Sequence, residues 1–178
     1  MIVATRLFTN ELLHDNKIAM NEKTMTKLKA GDPAPFFKGL NEKEEEISLS
    51  DFKGSKLILF FYPKDNTPGC TAEACSLRDH FAELESQGFK LLGVSPDSSR
   101  KHTNFIKKFD FPFSLLADTE LETIKAYDVW GKKKFMGRVF DGVWRTTFII
   151  DENGMIERVI TKVKTKSHAQ QILEEVTE

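Results

Sequence analysis

The chemistry this sequence offers is that of sulfur. Its 178 residues include only two cysteines, Cys70 and Cys75. That is too few for a secreted disulfide scaffold, so the pair is read for reactivity rather than as a staple. Cys70 follows a continuous apolar run, residues 57–62, which reads as a strand buried on both faces, and then a loop over 63–69. It opens a predicted helix over 70–87, with Ala74, Leu77, Phe81 and Leu84 on one stripe and Gly88 just past the end. In open α/β sheets, reactive groups gather at the carboxyl ends of strands. The unpaired N–H groups and the positive dipole end of a helix start favour a thiolate over a thiol.

Ionisation alone does not make a fast enzyme. An ordinary thiol is ~3% ionised at pH 7, so complete ionisation gains at most about 30-fold, roughly 2 kcal/mol of barrier. A more acidic thiol is also intrinsically less nucleophilic. Other groups must therefore stabilise charge on whatever leaves. Cys75 stands five residues further on. On an unbroken helix that separation rises ~7.5 Å and turns ~500°, leaving the Cα atoms ~8.6 Å apart, whereas a disulfide wants them within roughly 6.8 Å. If the two join, the first helical turns must unwind and the bond is transient. The spacing is not that of a CxxC redox motif. With no second cysteine pair and only His80 near in sequence, neither a metal nor a bound cofactor is expected.

The elements that must position these sulfurs belong to an ordinary soluble composition, 40% hydrophobic and 30% charged. With 26 basic and 27 acidic side chains, no global field draws the chain toward nucleic acid or an anionic membrane. No run approaches the ~18 uninterrupted apolar residues of a membrane span. Ile2, Val3 and Ala4 are cut off by Arg6, and Glu11 and Asp15 stand where a signal sequence would stay apolar, so the cytoplasm is expected. Residues 1–27 read as a loosely ordered N-terminal extension and 28–178 as a single α/β domain. Within it, 89–94 and 113–116 read as strands, and 98–109 and 120–127 as helices. Strands over 143–150 and 155–163 are joined by the turn Asp151-Glu152-Asn153-Gly154, and Ser167 opens a last helix. Phe60, Phe61, Phe105, Phe109, Phe111 and Phe113 read as core. His14, His80, His102 and His168 have polar neighbours and read as solvated, as do Lys132, Lys133, Lys134, Lys162, Lys164 and Lys166.

Pro63-x-x-x-Thr67-x-x-Cys70 resembles the peroxidatic motif of peroxiredoxins. The longer string Thr67-Pro68-Gly69-Cys70-Thr71-x-Glu73-Ala74-Cys75, followed by Leu77-Arg78-Asp79, is similar to the bacterioferritin-comigratory, or peroxiredoxin Q, group. Further blocks of the resemblance are Lys29-Ala30-Gly31-Asp32-x-Ala34-Pro35, Val129-Trp130-Gly131, Phe135-Met136-Gly137 and Arg145-Thr146-x-Phe148-Ile149-Ile150-Asp151. The resemblance covers about 28–178. It implies a thioredoxin-like fold, a central mixed sheet flanked by helices, in a monomeric antioxidant enzyme that reduces hydrogen peroxide and organic hydroperoxides. It implies that Cys70 becomes a sulfenic acid, that Thr67 orients thiolate and peroxide, and that Pro63 shields the pocket. Arg145, on the strand over 143–150, would neutralise the thiolate and polarise the leaving oxygen. Cys75 would resolve the sulfenic acid as a disulfide that thioredoxin, or alternatively glutaredoxin, reduces. Glu73 would hold Arg145 or serve only as a favourable acid in the first helical turn. The rival reading is a peroxide redox sensor or binding module that uses the same cysteine pair without turnover. A protein thiol–disulfide oxidoreductase is disfavoured by the missing CxxC.

Overall fold

Strand β3, Lys56–Phe61, is the spine of the molecule, and the whole of 57–61 is excluded from solvent. Because side chains alternate across a pleated strand, its apolar run feeds two cores. Ile58 and Phe60 face one cluster, and Leu57, Leu59 and Phe61 the other. A computed structural model describes residues 26–177, and the elements below are those of the described residues. They run in order β1 (Lys38–Asn41), β2 (Glu46–Ser48), β3, α1 (Pro68–Asp79), α2 (Phe81–Ser86), β4 (Phe89–Ser95), α3 (Ser99–Phe109) and β5 (Ser114–Ala117). Then come α4 (Glu122–Ala126), β6 (Trp130–Phe135), β7 (Arg138–Val143), β8 (Thr146–Ile150), β9 (Ile156–Ile160) and α5 (His168–Thr177).

Seven strands form one mixed sheet in the order β2-β1-β5-β4-β3-β8-β9. β3 pairs parallel with β4 and antiparallel with β8, which sets Phe60 opposite both Gly93 and Thr147. The missing side chain at Gly93 lets Phe60 and Leu115 meet over β4; a Cβ there would stand 2.7 Å and 2.6 Å from their side chains. One face is covered by α1, α2, α3 and α5 through Ala74, Leu77, Leu84, Phe105, Ala169 and Ile172. Ile124 of α4, Tyr127, Val129 and Val143 cover the other. The expected α/β architecture, a mixed sheet flanked by helices, is what forms, and all six phenylalanines expected in the core pack in the first or second cluster.

Several elements differ from expectation. The helix predicted over 70–87 is two helices broken at His80. The His80 ring lies 3.1 Å from the Ser76 carbonyl, the acceptor its own N–H would take in an unbroken helix, and that N–H turns to Arg78 instead. The helix predicted over 120–127 shrinks to α4, because the Asp118 carboxylate takes the N–H groups of Glu122 and Ile124 and so marks its start. The strand predicted over 143–150 is divided: Val143 ends β7, Trp144 and Arg145 are irregular, and β8 begins at Thr146. Arg145 is thus at a junction and not inside a strand. β6 and β7 form a separate two-stranded hairpin that the pattern of apolar residues does not predict. The predicted turn at 151–154 is present, with Gly154 at φ 81° and its N–H donating to the Asp151 carbonyl.

The extension expected over 1–27, and His14 within it, fall outside the described residues except for Thr26 and Lys27. The Thr26 hydroxyl donates to the Tyr127 carbonyl and the Lys27 N–H to Asp128. No helix among the described residues is long and apolar enough to cross a membrane.

The histidines correct the reading that they are solvated. His102 and His168 are completely buried, His102 between Asp65 and the Leu116 carbonyl, and His168 between Thr147 of β8 and Gln171 of its own helix. His80 is half-buried against Ser76 and Gln170. Sequence neighbours do not reveal Asp65, Leu116, Thr147 or Gln170 as partners, because these arrive from distant segments.

Candidate active site

The loop after β3 is fastened from below. Tyr62 donates its hydroxyl to Asp65 at 2.7 Å, and the other Asp65 oxygen lies 2.8 Å from His102 Nδ1. Asp97, two residues past the end of β4, accepts the Asp65 N–H at 2.8 Å and a bond from Lys101 at 2.9 Å. This buried lattice fixes the backbone that leads through Pro63 and Thr67 to Cys70. It could not be found from the motif, since Asp65, Asp97 and His102 meet only across three elements.

Thr67 is extended, with φ −95° and ψ 154°, and Pro68 takes the first helical position, where its missing N–H costs nothing. The helix therefore starts two residues earlier than predicted, and Cys70 sits within its first turn, 3% exposed. The Thr67 hydroxyl donates to the Lys64 carbonyl at 3.0 Å rather than to Cys70. Pro63 is half-buried in the same loop.

Arg145 is brought to this turn by the junction between β7 and β8. Its Nη2 donates to Cys70 Sγ at 3.3 Å and its Nη1 donates to Glu73 Oε2. Gly69 leaves room for the guanidinium, since a Cβ there would lie 3.3 Å from Nη2. Burial works against the charge of the guanidinium, but Glu73 and Cys70 beside it hold it firmly cationic. Glu73 lies beyond the first turn of α1, fully buried, which removes the reading of a solvated first-turn acid. Burial pushes its carboxyl from 4.5 up to about 7, with Arg145 pulling in the other direction.

Behind Glu73 stands His168, which the sequence reading did not place at the site. Its Nε2 is 2.8 Å from the Thr147 hydroxyl and 3.8 Å from Glu73 Oε1, an oxygen with no hydrogen-bond partner. The Gln171 amide donates to the Lys162 carbonyl, so its oxygen faces both the Lys164 N–H and His168 Nδ1. Nδ1 must then carry the proton, leaving Nε2 to accept from Thr147. Burial lowers this imidazole to about 4, so it is neutral at pH 7.

Lys133 also departs from its expected solvated state. Lys132 and Lys134 are exposed, but Lys133 is half-buried and donates to the Val143 carbonyl at 2.9 Å. Cys75, on the same helix as Cys70, is half-buried against the cluster that contains Ala74 and Leu77, and its burial pushes the thiol up despite nearby Arg78. Both cysteines are free thiols and α1 is continuous between them. The structure thus brings Cys70, Arg145 and Glu73 together, keeps Pro63 and Thr67 in the adjoining loop, and holds Cys75 apart. No group of three or more metal-ligating side chains occurs among the described residues.

The AhpC/TSA family matches residues 30–159. The chain is 47% identical over 150 residues to "Putative peroxiredoxin bcp" of Haemophilus influenzae, covering 84% of this chain and 97% of that one. It is 42% identical over 149 residues to "Peroxiredoxin Bcp" of Escherichia coli, covering 84% and 96%. Among solved structures it resembles Xanthomonas campestris peroxiredoxin Q with TM-score 0.76 and 33% identity, covering 86% of this chain and 98% of the other, so the mixed sheet is a thioredoxin-like peroxiredoxin fold. A match of this depth, taking in the loop, α1 and Arg145 alike, makes the chain a member of the AhpC/TSA family and, within it, a peroxiredoxin of the Bcp/peroxiredoxin Q group.

Proposed function

We propose that this peroxiredoxin reduces hydrogen peroxide and organic hydroperoxides through Cys70, with Cys75 resolving the product and thioredoxin restoring both thiols. The observation that carries the reading is the single guanidinium of Arg145 donating to Cys70 Sγ and to buried Glu73. It supplies the charge stabilisation that ionising the thiol cannot supply alone. The Cys70 thiolate attacks one peroxide oxygen; an S–O bond forms as the O–O bond breaks. Sulfur is oxidised to the sulfenic acid, and the other oxygen leaves, takes a proton and becomes water or an alcohol. Arg145 stabilises negative charge first on sulfur and then on the leaving oxygen. The Thr67 hydroxyl, already donating to Lys64, keeps lone pairs with which to accept the peroxide O–H. Pro63 adds no N–H to compete for the thiolate.

Resolution follows when the Cys75 sulfur attacks Cys70. An S–S bond forms, the S–O bond breaks, and water leaves with the Cys75 proton. The dithiol of thioredoxin then reduces this disulfide and becomes a disulfide itself. We assign the reaction to the cytoplasm, where such a dithiol is maintained, and, as the family resemblance implies, to a monomer.

Supplied with thioredoxin, thioredoxin reductase and NADPH, the protein should consume hydrogen peroxide, and Cys70→Ser should abolish turnover. Full activity in that variant would end the proposal. Cys75→Ser should oxidise once and then stall, or over-oxidise, unless a small thiol rescues it. Stoichiometric oxidation of the intact protein without recycling would instead favour a redox sensor.

A further inference from the structure

Lys133 is the side chain the reaction as described leaves unused. It lies on β6 opposite Phe140 of β7, and the hairpin pairs Gly131 with Gly142 next to it on the same face. The absent side chain at Gly142 is what lets the lysine fold inward: a Cβ there would stand 3.2 Å from Lys133 Cδ and 3.4 Å from the Phe140 ring. The stem therefore crosses Gly142. The ammonium ends on the Val143 carbonyl at 2.9 Å and 5.6 Å from the centre of the Trp144 ring. Val143 and Trp144 are the two residues before Arg145, and the Trp144 N–H is itself tied to the Val129 carbonyl at 2.7 Å. A half-buried ammonium normally takes a carboxylate as counter-charge. This one takes a carbonyl and an indole face. The charged groups that act on it are Arg145, from the junction, which together with burial lowers its pKa, and Cys70, from α1, which raises it. Its charge is thus felt by the two groups of the thiol site.

We propose that Lys133 is a positioning residue of the peroxidatic site: it locks the Val143–Trp144 segment so that Arg145 reaches Cys70, and it adds a second positive charge to the field in which the sulfur and the leaving oxygen carry theirs. The inference rests on Cys70 being the peroxidatic cysteine. The neighbouring lysines cannot substitute, because Lys132 points to Asp141 at 3.6 Å and Lys134 is exposed.

The test is single-turnover oxidation of the reduced protein by hydrogen peroxide, followed across pH and ionic strength. Lys133→Met keeps the stem and removes the charge. It should slow oxidation roughly tenfold and displace the pH profile of this step upward, a smaller loss than that of a donor touching the reacting atoms. Lys133→Arg should recover most of the rate. The gap between wild type and Lys133→Met should narrow as salt rises toward 1 M, which a loss of shape alone would not do. Gly142→Ala makes the Lys133 stem give way while removing no charged residue, and should slow the same step. It keeps the question open to decision if Lys133→Met folds poorly. A wild-type rate and pH profile in both Lys133→Met and Gly142→Ala overturns the proposal, as does an arginine variant no better than methionine. Oxidation of Cys70→Ser at the wild-type rate would instead overturn the reading of Cys70 itself, whatever Lys133 does.

Discussion

Arg145 works through geometry as well as charge, because one planar guanidinium donates to a sulfur and a carboxylate at once. A lysine is a point charge and cannot bridge both. Arg145→Lys should therefore lower the second-order rate with peroxide by about 10- to 100-fold, the worth of one charge-assisted hydrogen bond, measured by stopped-flow. Glu73 and His168 make a second, less visible pair. Glu73 is raised from 4.5 to about 7, so its contribution to stability is fully present below pH 4.5 and is lost as pH rises through about 7. His168 is lowered from 6.5 to about 4, so its contribution is present above pH 6.5 and is lost as pH falls through about 4. The two slopes oppose each other between pH 4.5 and 6.5. Relative to wild type, Glu73→Gln should lose stability on acidification through that window, and His168→Gln should lose it as pH rises. Urea midpoints across pH check both; parallel curves for all three proteins would contradict the assignment. Cys70 was legible in the sequence because its loop and helix start are contiguous. His168 was not, because its site partners Glu73 and Thr147 lie far away along the chain.

At the scale of elements, α1 both presents Cys70 and keeps Cys75 from it. As long as the helix is continuous from Pro68 to Asp79, the two sulfurs stand on Cα atoms ~8.6 Å apart, too far to bond. The resolution proposed for Cys75 therefore requires the opening of its first turns. Hydrogen exchange at the amides of 71–75 should rise when the disulfide forms. Half-buried Ala72 lies between the cysteines, and Ala72→Gly costs a helix interior about 1 kcal/mol. That change should speed disulfide formation after oxidation by up to about fivefold; an unchanged resolution rate would mean the helix does not limit this step. The loop before α1 has its own anchor in His102. Replacing it by leucine leaves an Asp65 oxygen and the Leu116 carbonyl without their ring partner. A loss of about 1–3 kcal/mol of stability in denaturant unfolding is expected. The spacing of apolar residues predicted α1 and β3 but not the break at His80, since that break is made by a side chain competing for a backbone carbonyl.

The molecule as a whole is a sheet whose central strand serves two cores, and its tolerance is smallest where that sheet is thinnest. Gly93→Ala would drive a Cβ into Phe60 and Leu115. Overpacking of this kind costs roughly 1–3 kcal/mol, so calorimetry should show Tm lowered by a few degrees, about 2–4 °C for each kcal/mol. The amino-acid sequence by itself determined the class of chemistry, the α/β architecture and the reactive turn, because each is written in contiguous residues: an apolar strand, a loop after it, and a cysteine where the next helix begins. It also determined that Cys70 and Cys75 cannot bond on an intact helix, which follows from helical geometry alone. Only the tertiary structure decided where Arg145 stands, that Glu73 is buried rather than solvated, and that His168 and Lys133 turn toward the site. Those outcomes depend on which chain segments meet across the sheet, and a buried charge takes its properties from the groups that meet it there, not from its neighbours along the chain.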